Sequence, residues 1–334
     1  MRSQIEKLPK GKFLLGFSGG VDSSALFFLL LHSSIDFDIA IVDYALRVQS
    51  KEEVAYAQSL AREYGKLCHH TLSPKFTSNF ESQAREFRYE FFHSLILKHH
   101  YEGLILAHQL DDRVEWMMMQ FCKGAGLNTL LGSEFESEYR GMKIFRPLLN
   151  IQKKELYEFC QKNQIHFFED ESNTDEKYLR NDFRKHLQPL IAKHAKGMAK
   201  SFEYLYIEKE KLYPKKEVKS FLDIDFWQRR NESEDMHQLD LSFKKRGYIL
   251  SAKQKQEIIR CDFSCEIVDF VIESGDSKIF LFPKKQVKMS LEFRDFARKH
   301  RIPKRLRGYL FASLKEREKV LEFLEKNQIG IYEA

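Results

Sequence analysis

The chain has 334 residues, 43% of them hydrophobic and 31% charged, with a formal net charge of +6. That length suits two folded domains, and that composition excludes a disordered or fibrous chain. No stretch reaches the roughly 18 consecutive apolar residues of a membrane span, and the opening MRSQIEKLPKGK lacks the apolar core of a secretory signal, so we expect a cytoplasmic protein.

Taken in order, short apolar runs alternate with helical patterns. Strands are expected at Lys12–Phe17, Asp38–Asp43, Cys68–Leu72, Gly103–Ala107 and Lys143–Phe145. Helices are expected at Val21–His32, Lys51–Tyr64, Glu81–His100, Asp111–Cys122 and Gln152–Asn163. Such alternation predicts an α/β domain over residues 1–195, with a parallel, five-stranded, Rossmann-like sheet covered by helices on both faces. Ligands of these sheets bind outside the carboxyl ends of the strands. Three polar stretches fall there: Ser18–Ser23, Asp43–Arg47 and His108–Glu115.

From about Lys193 the rhythm changes. We expect a helical linker over 196–214, closed by Pro214, and a charged, patternless stretch over 213–235. A smaller, mostly helical domain should occupy 215–334, with helices at Ala252–Arg260, Ser290–His300 and Lys315–Asn327 and a strand at Lys278–Phe282. Residues 1–195 hold 25 basic and 26 acidic side chains, and residues 196–334 hold 30 and 23, so the positive excess is C-terminal. A basic module beside a neutral one suits a polyanionic partner, although solubility explains many such surfaces. Its densest run, Arg298–Arg307, contains Arg298, Lys299, Arg301, Lys304, Arg305 and Arg307 and no acid. The five cysteines (Cys68, Cys122, Cys160, Cys261, Cys265) are scattered and form no C-x-x-C, which argues against a disulfide framework or a four-cysteine metal site.

The first strand ends in "SGGVDSS", Ser18–Ser24. Gly19 and Gly20 allow backbone N–H groups to face one point, and the helix beginning near Val21 adds unpaired N–H groups and the positive end of its dipole. Ser18 and Ser23 add hydroxyls. Asp22 is a poor phosphate ligand and suits Mg²⁺ better. The plain alternative is a turn with Asp22 or Ser23 as N-cap. After the fourth strand, Asp111 and Glu115 share a helical face with Asp112 one step round, a cluster able to hold an amine or to sit as a solvated acidic first turn.

No G-x-x-x-x-G-K-[ST] or G-x-G-x-x-G occurs in the chain. SGGVDS instead resembles the signature of the PP-loop, or N-type ATP pyrophosphatases, which split ATP between its α- and β-phosphates. Further segments resemble one branch, the tRNA(Ile)-lysidine synthases: "AIVDYALRVQS" (Ala40–Ser50), A-R-x-x-R-Y in "ESQAREFRYEFF" (Glu81–Phe92), and H-x-x-D-D-x-x-E in "LAHQLDDRVEW" (Leu106–Trp116). "RPLL" (Arg146–Leu149) and the D-x-S-N and R-N-x-x-R of "DESNTDEKYLRNDFR" (Asp170–Arg184) complete the pattern over residues 12–190. "GYILSAKQKQEI" (Gly247–Ile258) extends it more loosely. The family carries His where this chain has Tyr44 and Gln109, Thr at Trp116, and Arg-Gly at Lys123-Gly124.

The resemblance implies ATP as substrate, Mg²⁺, free L-lysine and an isoleucine tRNA with anticodon CAU, and allows a homodimer. It implies that Ser18–Ser23 grip the leaving diphosphate and that Asp22 and Asp111 hold Mg²⁺. Asp112, Glu115, His108 and Arg180 would complete the catalytic set, with Arg85, Arg88, Arg184 and the Arg298–Arg307 run on phosphate or tRNA. Read without the motif, His108 is a hydrogen-bonded strand-end histidine, Arg184 part of an exposed helix face, and Tyr89 packing. Two rivals share the loop. A PP-loop tRNA thiolase would deliver sulfur through paired cysteines or an Fe–S cluster, for which Cys261 and Cys265 are poorly placed. A non-catalytic nucleotide-binding module would need neither the acidic helix nor the basic domain.

Overall fold

A computed structural model describes residues 2–45, 49–76, 78–169, 179–214, 217–275, 277–314, 316–327 and 329 of the chain. Arg47, residues 170–178 of the D-x-S-N run and the side chain of Arg180 lie outside the described residues. The chain divides into two compact units, Met1–Lys209 and Glu210–Ala334.

The first unit contains strands β1 (Lys12–Gly16), β2 (Asp36–Asp43), β3 (Cys68–Leu72), β4 (Leu104–Ile105), β5 (Glu136–Tyr139) and β6 (Met142–Phe145). Its helices are α1 (Arg2–Ile5), α2 (Val21–His32), α3 (Gln49–Glu63), α4 (Phe80–His99), α5 (Leu110–Phe121), α6 (Leu127–Leu130), α7 (Lys153–Lys162) and α8 (Leu179–Leu212). The strands lie in the order β3-β2-β1-β4-β6-β5. Every pairing is parallel except β5 on β6.

The sheet thus has six strands where five were expected. The sixth, ESEY, has no apolar pattern of its own. It forms by pairing back on β6 through Arg140 and Gly141, both at positive φ (50° and 78°), the twist a tight hairpin requires.

Both sheet faces are buried, which is why β1 and β2 read as continuous apolar runs. Phe13, Leu15, Phe37, Ile39 and Ile41 pack beneath α2, α3 and α7. Leu14, Ala40, Leu104 and Ile144 meet Tyr89, Phe92 and Leu95 of α4 on the other side. Helix α8 runs unbroken through the stretch expected to link two domains. It packs on α5 through Leu110, Val114, Ile191 and Phe202. The Arg113 guanidinium fastens that contact, lying 4.0 Å from the Phe202 ring centroid and 5.1 Å from that of Tyr206.

The second unit holds β7 (Lys219–Phe221), β8 (Ile224–Gln228), α9 (Glu232–Lys245), α10 (Ala252–Arg260), β9 (Cys265–Ile267), β10 (Phe270–Ser274), β11 (Lys278–Pro283), α11 (Leu291–Lys299), α12 (Leu306–Leu314) and α13 (Arg317–Lys326). Helical residues outnumber strand residues, as expected. Yet a five-stranded antiparallel sheet, β7-β8-β11-β10-β9, stands where only Lys278–Phe282 reads as strand. Ile224, Phe226, Phe280 and Phe282 face Phe293, Leu310 and Phe323 of the last three helices. Trp227, Ile272, Ile279 and Leu281 face Leu239, Phe243 and Ile258 of α9 and α10. The stretch 213–235 is therefore not patternless. It supplies β7, β8 and the start of α9, whose N-cap Asn231 accepts a hydrogen bond from Glu234 N (3.0 Å). No helix among the described residues is long and apolar enough to cross a membrane.

One close approach fixes the end of β1. A Cβ on Gly16 would lie 2.8 Å from Leu106 Cδ2 and 3.3 Å from the Phe92 ring. Gly16→Ala should destabilise by ~1–3 kcal/mol through overpacking. Gly197→Ala, in open space on α8, should stabilise by up to ~1 kcal/mol. Denaturant midpoints of the two variants check this, and equal shifts would contradict it.

Candidate active site

Strands β1 and β4 are hydrogen-bonded neighbours (Leu14 opposite Leu104, Leu15 opposite Ile105) at the point where the strand order reverses. The segments leaving their carboxyl ends therefore open onto one cleft of about 200 Å³. After β1 the chain turns at Gly19, whose φ of 78° favours glycine. Gly20, not Asp22 or Ser23, is the N-cap of α2, and no side chain caps the helix. No side chain takes up the first-turn N–H groups, and the helix starts at a cleft lined by Ser18, Gly20, Val21 and Asp22.

The loop is braced from two sides. Ser18 N donates to Ser23 Oγ (3.2 Å), Ser23 Oγ donates to Gly20 O (3.1 Å), and Ser24 Oγ donates to Gly19 O (3.3 Å). Phe168 N donates to Gly19 O (2.9 Å), and Gly20 pairs with Phe168 as an isolated parallel bridge. Gly19 and Ser23, expected among the ligand-binding groups, are not among the cleft-lining residues; the Ser23 hydroxyl is spent on the loop's own shape.

After β4, Gln109 caps α5. Its Oε1 accepts from Asp111 N (2.5 Å), while Asp112 Oδ2 accepts from Gln109 N (3.2 Å). Asp111 is buried, and its Oδ1 accepts from Lys153 N (3.0 Å), the first residue of α7. Glu115 is buried as well and takes a two-pronged ion pair from Arg184, Nε to Oε1 at 2.8 Å and Nη2 to Oε2 at 3.2 Å. A solvated acidic turn is thereby ruled out, as is an exposed-face role for Arg184.

Burial, only partly opposed by the Lys153 charge and reinforced by Asp112 and Asp111, raises Asp22 from an ordinary 3.8 to about 7. Asp111 also lies above its ordinary value. Burial is the main cause, the Lys153 N–H opposes it, and Asp112 and Glu115 add to it. Burial works against the Arg184 charge, but its bonds to Glu115 and the nearby acids outweigh that and hold the guanidinium above its usual value.

Among the described residues no three His, Cys, Asp or Glu side chains gather as a ready-made metal cage. Asp22 Oδ1 is nonetheless buried without a hydrogen-bond partner, and Asp111 lines the same cleft. Mg²⁺ binds through one or two carboxylates and completes its shell with water and substrate phosphates. The donor set fits that ion.

Other expected residues sit beside the cleft and do not line it. His108 Nδ1 accepts from Arg146 Nε (3.3 Å), so a neutral His108 carries its proton on Nε2; Arg146 is itself held by Ser137 Oγ (2.7 Å) and Glu134 O (3.2 Å). On α4, Arg85 lies 4.9 Å over the ring of Tyr89, which is core, and Arg88 Nε is buried without a partner. Tyr44 OH donates to Ala84 O (3.3 Å). Trp116 Nε1 donates to Thr129 O (2.8 Å), and its ring covers Gly132, where any Cβ would collide with it. Sequence reasoning missed Lys153, Tyr157, Phe168, Glu169 and Gln188 in the cleft wall. The one available signal was for Lys153, a basic residue opening a helix just past a strand end.

In the second unit the basic run divides. Arg305 bonds buried Glu273 through its N (3.0 Å) and Nη1 (2.9 Å), and Arg307 Nε donates to Ile302 O (2.8 Å), so both hold the turn between α11 and α12. Arg298 pairs with exposed Asp295 (3.1 Å). Lys299, Arg301 and Lys304 have exposed side chains.

Asp22 binds its proton more tightly folded than unfolded. Its contribution to the stability of the ligand-free protein is therefore full below about pH 4 and fades as pH rises toward about 7. Asp22→Asn should melt near wild type at pH 4.5 and above it at pH 8, read by calorimetry. A gap independent of pH would contradict the buried-carboxylate account.

The family model described as a PP-loop domain, ATP_bind_3, matches residues 1–191. The chain is 45% identical over 315 residues to the tRNA(Ile)-lysidine synthase of Helicobacter pylori, covering 93% of each. It is 43% identical over 309 residues to that of Wolinella succinogenes, covering 92% of this chain and 94% of the relative. Its fold is similar to the U34-tRNA thiolase NcsA from Methanococcus maripaludis, with a TM-score of 0.50 and 18% identity over 61% of this chain and 76% of that one. An uncapped helix N-terminus facing buried acids, a PP-loop domain and relatives alike over nearly their whole length lead to one assignment: the chain belongs to the tRNA(Ile)-lysidine synthase family of PP-loop proteins.

Proposed function

We propose that this protein is a cytoplasmic ligase that joins free L-lysine to carbon 2 of the wobble cytidine in an isoleucine tRNA with anticodon CAU, converting ATP to AMP and PPi. The observation that carries this reading is the pairing, in one cleft, of the uncapped start of α2 with the buried carboxylates of α5. One wall suits phosphates and the other an amine.

In the first step the cytidine O2 attacks the α-phosphorus, the bond from Pα to the β-bridging oxygen breaks, and PPi leaves. The amides of Gly20, Val21 and Asp22 receive the charge that develops on it. Asp22 and Asp111 would hold Mg²⁺, which when bound neutralises charge on the departing diphosphate. In the second step the lysine ε-nitrogen attacks C2, the C2–O bond breaks, and AMP leaves with that oxygen while the nitrogen sheds a proton. Asp112 and Glu115 hold the incoming amine and accept that proton.

Arg180 acts on the α-phosphate or the tRNA backbone, and Arg85 and Arg88 on tRNA, while Arg184 is held by Glu115. The exposed cations of the Arg298–Arg307 run position the tRNA by its phosphates without reading its sequence. The cytidine must unstack to enter the cleft. A thiolase reading is not favoured. The relatives alike in sequence over nearly full length are named lysidine synthases, and Cys261 and Cys265 belong to the second unit rather than to the strand ends around the PP-loop.

Incubation of the protein with ATP, lysine and the tRNA should yield a wobble nucleoside heavier by one lysine residue in mass analysis. Asp22→Ala should abolish PPi release while tRNA affinity is kept, and turnover at the wild-type rate would refute the role of Asp22. Lys299→Glu with Lys304→Glu should weaken tRNA binding and reduce the slope of log K against log salt by about 2. An unchanged slope would remove this run from the interface.

A further inference from the structure

We propose that Lys153 is a further catalytic residue, its ammonium touching the phosphates of ATP and carrying charge as PPi departs. This rests on the ligase reading above, and neither the PP-loop nor the acidic helix contains the residue.

Two basic residues of the described chain line the cleft, Lys153 and Arg184. They differ in what they do there. Both prongs of the Arg184 fork are spent on Glu115, at 2.8 and 3.2 Å. The ammonium of Lys153 forms no salt bridge among the described residues and rests 5.9 Å from the Tyr157 ring centroid. A cleft rich in carboxylates repels a nucleotide polyanion unless a cation stands on the phosphate side. Lys153 is that cation, because it lines the same cleft as Ser18, Gly20, Val21 and Asp22 of the PP-loop.

Its backbone position reinforces the geometry. Lys153 is the first residue of α7, so the helix N-terminus opens at the same wall. Its own N–H donates to Asp111 Oδ1 (3.0 Å), which anchors the start of α7 to the acidic helix in a cleft that Lys153 and the phosphate loop both line. That bond belongs to the main chain, so a side-chain substitution removes the ammonium and leaves Asp111 held. The lysine substrate also carries an anion, its α-carboxylate. Sharing the cleft wall with the PP-loop residues selects the phosphates as the contact.

The test is tRNA-dependent PPi release from ATP without lysine, compared among wild type, Lys153→Met, Lys153→Gln and Lys153→Arg, with melting temperatures. Lys153→Met and Lys153→Gln should lower kcat/KM for ATP on the order of 10²-fold, as for loss of one group stabilising developing charge. Lys153→Arg should restore most of the loss, and tRNA affinity, melting temperature and, in the complete reaction, KM for lysine should stay at wild-type values. The two neutral variants guard against a folding defect peculiar to either one. Wild-type kcat/KM in a folded neutral variant would overturn the proposal, as would a defect confined to KM for lysine. Wild-type protein releasing no PPi would instead overturn the ligase reading beneath it.

Discussion

The hydrogen bonds between β1 and β4 are the constraint on which the site depends. They bring the fourth strand back beside the first, at the point where the strand order reverses. Two helices then start at adjacent strand ends, α2 without a side-chain cap and α5 capped by Gln109. The uncapped start offers amide donors, and the capped start displays acids. Shifting β4 to any other place in the sheet would separate phosphate chemistry from amine chemistry. The close packing at Gly16 shows how little room that adjacency leaves, since Leu106 of the β4 exit sits where a Cβ would be.

The electrostatics follow from this crowding. Asp22, Asp111, Asp112 and Glu115 converge on a small cleft, and the protein tolerates them in different ways. Glu115 has a full guanidinium partner, Asp111 a backbone N–H, and Asp112 the N-cap amide. Asp22 keeps a buried oxygen with no hydrogen bond, and its carboxyl retains its proton to about pH 7. An unsatisfied buried acid costs stability and is retained where ligands supply the missing partners. The site is thus strained toward cations and polar ligands before any arrive.

The second unit solves a different problem. Its antiparallel sheet has apolar residues on both faces, with α9 and α10 over one and the last three helices over the other, so a short chain still builds a three-layer core. Its basic run is divided between duties. Arg305 and Arg307 satisfy buried or main-chain acceptors, whereas the side chains of Lys299, Arg301 and Lys304 are exposed. A cluster that looks uniform along the chain is therefore uneven as a phosphate-binding surface.

Periodicity and punctuation determined much by themselves. The apolar runs at Lys12–Phe17 and Asp38–Asp43, the glycines at 19 and 20, and the helix at Val21–His32 are local signals, legible because turn geometry and burial act over a few residues. Strand order was not local. Nothing within ESEY announces β5, which exists through its pairing with β6; β8 pairs with β11, distant in sequence, and β7 in turn pairs back on β8. The same holds within the site. Acids at 111, 112 and 115 were evident as a pattern, but only the packing of α8 put Arg184 on Glu115, and only the start of α7 put Lys153 on Asp111. Which charges meet is a property of tertiary contacts, because a side chain's partner is set by where other elements pass and not by the residues beside it in the chain.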